Sequence, residues 1–207
     1  VFFSAPHSCA VAARETAQNS GKRRILLSGS LSPSWLDILA NQLGEFDLNE
    51  PDPDPLGFEN LVSQVSPDMV CVILQNPSFF GNLRDLTALQ SECREWDVPL
   101  FVIGANPDTS QSEMGQSLAK ALGRIPGIRV ITDTFISRFS IYLGEDRDSA
   151  DVQEILQKKG IKGCESAALA YPSYPELRPV LIVDAQIDAQ ALTLGLREAL
   201  ALVRNPR

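Results

Sequence analysis

The sequence predicts an α/β fold, a doubly wound and mostly parallel sheet followed by a small α+β domain. Three observations carry that reading. The run MVCVILQ over 69–75 is apolar at successive positions, as in strands covered on both faces. PLFVIGA over 99–105 repeats the pattern, with an amphipathic helical spacing between the two runs. Strand, helix and strand in that order mean a right-handed crossover between parallel strands. After residue 110 the order becomes β-β-α-β-β-α, which describes an α+β unit. The expected division is therefore 1–110 for the α/β region and 111–207 for the small domain.

The elements follow in order. HSCAVAARETAQ over 7–18 reads as an alanine-rich helix with Ser8 as a candidate N-cap. RILLSGS over 24–30 is a short buried strand that ends in small residues. In the next helix Ser32 is the cap, Pro33 takes the first helical position, Trp35, Ile38, Leu39 and Leu43 form one face, and Gly44 ends it. EFDLNE over 45–50 is a weaker strand, and PDPDPLG is a solvated connection without the alternating ligands of a calcium loop. Phe58, Leu61, Val62 and Val65 lie at helical spacing and predict a further helix. Leu83, Leu86, Leu89 or Gln90, Cys93 and Trp96 predict a helix over 82–96. In the second half, helices are expected over 117–125, 148–160 (capped by Asp148 or Ser149 and ended by Gly160) and 187–203. Strands are expected at IRVITD, FSIYLG, ESAALA and PVLIVDA.

Composition narrows the function classes. The net charge of −8 and sequence pI near 4.7 argue against a nucleic-acid surface, and Lys22-Arg23-Arg24 reads as a solvated turn. No segment has the uninterrupted apolar length of a membrane span. With His7 as the sole histidine, a histidine-rich metal site is excluded, and no metal ligands are assigned. Cys9, Cys71, Cys93 and Cys164 lie far apart without a C-x-x-C pair, so they are expected as buried free thiols in the cytoplasm or another reducing compartment. The sequence opens on Val1-Phe2-Phe3 without a signal-peptide pattern, and Val1 is expected not to be the natural start.

In a parallel α/β sheet ligands bind at the carboxyl ends of the strands. Three strand exits, SGSLSP, QNPSFFG and GANPDTSQ, carry small or amide side chains suited to a polar ligand or to tight turns. Asn76 precedes a proline and is expected to aim its amide out of the sheet edge. Phe79 and Phe80 would then wall a pocket, plug an interface, or staple onto Leu83 and Leu86. His7 and Ser8 open a helix, whose free amide hydrogens can take a phosphate or simply be capped. No phosphate-cradling glycine motif and no G-x-S-x-G is present, and no catalytic residue is assigned.

QNPSFFGNLRDL resembles the corresponding segment of glycine dehydrogenase (decarboxylating), the P-protein of the glycine cleavage system, and subunit 1 of its two-subunit form in particular. SGSLSPSWLDIL, LAKALGRIPGIRV, FISRFSIYL, KKGIKG and PVLIVDAQIDAQALTLGLREAL resemble later and earlier segments of that family in the same order. The resemblance implies the fold of the type I pyridoxal-phosphate enzymes and a role in glycine decarboxylation, with transfer of an aminomethyl group to a lipoyl carrier protein. It implies a partner subunit that supplies the cofactor-binding lysine, so pyridoxal phosphate is expected only at a shared subunit interface. His7, Ser8, Asn76 and Asn106 are the candidate cofactor-binding residues. Asn106 stands where the fold often has an acid facing the pyridine nitrogen, and an uncharged amide cannot pair with a pyridinium as a carboxylate does. The alternative is a non-catalytic relative that keeps the scaffold as an assembly or protein-interaction module.

Overall fold

Apolar side chains on both faces of Met69–Gln75 put this strand at the centre of a five-stranded sheet. The computed structural model of the chain describes residues 1–104 and 113–203. The chain divides into two units, Val1–Phe79 with Leu83–Asp108, and Phe80–Asn82 with Thr109–Arg207.

The first unit contains β1 (Phe2–Phe3), α1 (Pro6–Ser20), β2 (Arg24–Leu27), α2 (Pro33–Leu43), β3 (Asp47–Asn49), β4 (Met69–Gln75), α3 (Thr87–Glu95) and β5 (Leu100–Ile103). The strand order is β1-β5-β4-β2-β3, and every pairing is parallel. From Cys71 onward successive residues of β4 serve opposite faces, after a register irregularity at the start of its pairing with β2. Val70, Cys71 and Ile73 meet α1 and α2 through Ala10, Ala13, Leu39 and Leu43, while Met69, Val72 and Leu74 pack with Leu86, Leu89 and Cys93 about α3. Each fully buried leucine or isoleucine contributes about 1.5–3 kcal/mol. The expected doubly wound α/β layer is therefore present, with helices on both faces of a parallel sheet.

The second unit contains α4 (Glu113–Leu122), β6 (Arg129–Val130), β7 (Arg138–Tyr142), α5 (Ser149–Lys158), β8 (Cys164–Ser166), α6 (Ala167–Ala170), β9 (Val180–Asp184) and α7 (Ala189–Leu202). Its sheet is antiparallel in the order β6-β7-β9-β8. Phe139, Ile141, Leu181 and Val183 on one face pack against Leu118, Leu122, Val152, Leu156, Leu192 and Leu196. Asp148 caps α5 by accepting from the Ala150 amide at 2.8 Å. Phe80 lies in this unit. Its ring stacks on Tyr171 with centroids 5.6 Å apart, and its carbonyl accepts from Ser140 Oγ (2.7 Å) and Thr132 Oγ1 (3.4 Å).

Several sequence expectations are corrected. The helix expected from Phe58 to Val65 is a single 3-10 turn, Val62–Gln64. Pro67 bars α geometry at the preceding residue, and Glu59 is held by groups outside its own segment, so neither end propagates. The helix expected over 82–96 begins only at Thr87, because the Asn76 side chain engages both main-chain groups of Arg84 and keeps them out of a helical ladder. Asp85 accepts from the Thr87 amide at 2.9 Å instead. Residues 165–170 are not one strand: the Ser166 hydroxyl accepts from the Leu169 amide, and the chain turns into α6. Ser8 is not the cap of α1. Pro6 takes the first turn with Ala5 at the N-cap, since proline has the required φ and no N–H to satisfy.

All four cysteines are free and buried. Burial pushes the Cys9 and Cys164 thiols up to about 12 and Cys93 up to about 11, and Cys71 is raised further still. A folded value above the unfolded one means that the unfolded chain loses its thiol protons first. The stability contributed by neutral thiols is complete below pH 9, the unfolded value, and is lost as pH rises toward about 11. The slope is at most about 1.4 kcal/mol per pH unit for each thiol. Urea midpoints are expected to fall between these two pH values, and more gently in Cys93→Ala. A flat profile, or equal slopes in both proteins, would contradict the account.

Among the described residues no helix is long and apolar enough to cross a membrane.

Candidate functional site

Because every strand of the first sheet is parallel, the carboxyl ends of β1, β2, β4 and β5 share one edge. The loop Ser28-Gly29-Ser30 leaves β2 there, Asn76 leaves β4, and the N-terminus of α1 follows β1. The residues after β2 are buried, and so is Asn76. Gly29 is required by close approach, since a methyl group there would overlap the main-chain carbonyls of Pro51 and Asp52.

The strongest electrostatic feature of this edge is an ion pair. Arg84 Nη1 lies 2.7 Å from Glu59 Oε2, with the two side chains 11% and 2% exposed. Glu59 Oε2 also accepts from Ser28 Oγ at 2.7 Å, and Oε1 accepts from the Gly29 amide at 2.7 Å. One carboxylate thus collects a hydroxyl, a main-chain N–H and a guanidinium. The pair is buried enough that either charge alone is costly. Burial and the neighbouring charge of Glu59 together raise the Glu50 carboxyl above its ordinary value.

The structure places the candidate residues as follows. Asn76 joins a cis peptide to Pro77. Its Nδ2 donates to the Arg84 carbonyl at 3.1 Å, and its Oδ1 accepts from the Arg84 amide at 2.9 Å. The amide therefore closes on the following loop instead of pointing out of the sheet edge. His7 and Ser8 are exposed in the first turn of α1, and the Ser8 hydroxyl donates to the Ala5 carbonyl at 3.0 Å. Asn106 lies outside the described residues. Phe79 and Phe80 are buried, and Phe80 acts as a core plug through its stack on Tyr171.

Sequence reading missed Glu59 and Arg84. Glu59 lies among the residues of a proline-rich acidic connection and carries no periodic signal. Arg84 is one charged residue between Leu83 and Leu86, as on any amphipathic helix. The available signal was that SGS and NPSFFG mark the two loops that meet there.

Lysine is the side chain that forms a Schiff base with pyridoxal phosphate. Lys22 is the one lysine in the described part of the first unit. It lies between α1 and β2, at the amino edge, opposite the loops described above.

No family model matches the sequence. Over 103 residues the chain is 37% identical to the probable glycine dehydrogenase (decarboxylating) subunit 1 of Rhodospirillum rubrum, a match covering 48% of this chain and 23% of that protein. It is 30% identical over 112 residues to the protein of the same name from Halalkalibacterium halodurans, covering 51% and 24%. The chain thus matches about a quarter of the length of these curated relatives. Among solved structures, it superposes with a TM-score of 0.73 and 14% identity on glycine decarboxylase (P-protein) of the glycine cleavage system, covering 98% of this chain and 70% of that one. With L-threonine-O-3-phosphate decarboxylase from Porphyromonas gingivalis the TM-score is 0.67 at 12% identity, covering 96% and 81%. The chain has a mixed α/β fold like that of the type I pyridoxal-phosphate enzymes, and in sequence it is similar to glycine dehydrogenase (decarboxylating) subunit 1.

Proposed function

We propose that the chain is a glycine cleavage P-protein subunit 1-like component, which acts in a larger pyridoxal-phosphate-dependent glycine decarboxylase and is not catalytic alone. The observation that carries the reading is the sequence likeness to subunit 1 on a fold superposing with the P-protein. The position of Lys22 at the amino edge supports a site completed by another chain, whose lysine would hold the cofactor. When bound, pyridoxal phosphate supplies an electron sink for decarboxylation. In this reading His7, Ser8, Asn76 and Asn106 remain the candidate cofactor-binding residues, and a lipoyl carrier protein receives the product. The free thiols favour the cytoplasm or another reducing compartment.

A second reading, a non-catalytic relative serving as an assembly or protein-interaction module, is favoured by one observation. Polar groups at the carboxyl edge are closed on one another, Glu59 on Arg84 and Asn76 on the Arg84 main chain.

The test is spectroscopic. The protein, alone and with its co-purifying partner, is incubated with pyridoxal phosphate and followed by visible absorbance and glycine-dependent bicarbonate exchange. The expected result is neither signal alone and both with the partner. Both signals from the chain alone would overturn the shared-site reading. Neither signal with the partner bound would overturn the enzyme reading in favour of the module.

A further inference from the structure

We propose that Ser28, Gly29 and Arg84 form an oxyanion-binding site at the carboxyl edge of the first sheet. The chain's own Glu59 holds it, and a small external carboxylate or phosphate takes Glu59's place. The proposal is independent of pyridoxal phosphate and does not require it.

Three donors of different origin converge on one acceptor. The Ser28 hydroxyl, the Gly29 amide and Arg84 Nη1 each lie 2.7 Å from a carboxylate oxygen of Glu59. Charge-assisted bonds of this kind are the strong ones. They come from two segments far apart in sequence, the loop after β2 and the segment before α3. The geometry is that of a site built for a two-oxygen acid, and a side chain of the same protein fills it.

A second observation shows that the guanidinium has capacity to spare. Arg84 Nε and Nη2 are buried, and neither has a hydrogen-bond partner among the described residues. In a guanidinium, Nε–H and one Nη2–H lie side by side, the edge that takes a carboxylate or phosphate through two parallel bonds. Glu59 meets only Nη1, and both its oxygens already have donors. A phosphate or free carboxylate in the place of Glu59 takes over the bonds from Ser28, Gly29 and Nη1, and unlike a tethered side chain it is free to turn toward the unpartnered donors of Arg84.

The segment that carries Glu59 suits it for displacement. Between β3 and the 3-10 turn it contains Pro51, Pro53 and Pro55 and no regular element. Phe58, beside Glu59, is 80% exposed and gives the segment no apolar anchor at that point. One polar link to the loop after β2 runs through Ser30, whose hydroxyl accepts from the Asp54 amide at 3.2 Å and donates to the Asp54 carbonyl at 3.3 Å.

The experiment titrates wild type, Glu59→Ala and Glu59→Gln with sodium formate or inorganic phosphate, using chloride at equal ionic strength as the reference. Thermal unfolding is read together with the nitrogen-15 signals of the Gly29 amide and Arg84 Nε–H. Glu59→Ala is expected to show a saturable rise in Tm. Its half-saturating concentration should be at least tenfold lower than that of wild type, with both NMR signals shifting at the same midpoint. Response to formate and phosphate alike identifies carboxylate-bearing ligands as sufficient, and response to phosphate alone restricts the site to phosphates. If Glu59→Ala does not fold, Glu59→Gln and the wild-type NMR titration answer the same question. Oxyanions acting no more strongly than chloride on every folded variant, with the Gly29 and Arg84 signals unmoved, would overturn the proposal.

Discussion

Replacing Arg84 with methionine is expected to cost about 3–5 kcal/mol of stability, the range for removing one partner of a buried ion pair. The size follows from what is left behind. Glu59, 2% exposed, would keep its bonds to Ser28 and Gly29 but lose the cation that compensates its charge. Methionine keeps most of the apolar stem, so the loss is electrostatic more than volumetric. Adding Glu59→Gln to Arg84→Met should recover most of the cost, because the amide still offers an oxygen to Gly29 while removing the uncompensated charge. Both tryptophans, Trp35 and Trp96, lie in the first unit, so their emission during urea unfolding reports on the unit that holds the pair. A loss under about 1 kcal/mol, the value of an exposed pair, would show that the charges are far better solvated than their burial indicates.

The parts legible in the sequence were those fixed by local pattern. β4 and β5 are apolar at consecutive positions because both faces are covered, and the helical spacing between them fixed the parallel crossover. β1 was not legible. Two phenylalanines have no period, and their strand exists only through pairing with Val102 and Ile103, a hundred residues later. Helical spacing misled where a distant group competed for the backbone. Leu83 and Leu86 are spaced for a helix, yet Asn76, eight residues earlier, binds both main-chain groups of Arg84. The same limit hid the ion pair. Ser28 and Gly29 stood in a segment marked by its small residues, but nothing local to Glu59 or Arg84 says that they meet. Strand exits could be placed on the carboxyl edge from sequence, whereas which side chains satisfy one another there depends on how the loops fold back.

Gly81→Ala is the second substitution with a large expected effect, and Gly21→Ala is its control. Both glycines have left-handed backbone, φ +94° at Gly81 and +68° at Gly21, so alanine is strained at either position. At Gly21, which caps α1, nothing lies within 4 Å of the added carbon, and the cost should be about 1 kcal/mol. At Gly81 the methyl would overlap the Arg138 carbonyl oxygen and sit 2.8 Å from its carbon. Neither side can retreat cheaply. Arg138 begins β7 and pairs with Asp184 of β9, while the Phe80 carbonyl is fixed by Ser140 and Thr132 and its ring by Tyr171. Relief would require breaking a buried hydrogen bond or the ladder, which puts the total at about 3 kcal/mol or more. All three tyrosines, Tyr142, Tyr171 and Tyr174, belong to the second unit, so tyrosine absorbance during urea unfolding reads the effect where it arises. If Gly81→Ala costs no more than Gly21→Ala, the steric contact with Arg138 contributes nothing, and the anchoring of the FFG segment through Phe80 is looser than its hydrogen bonds indicate.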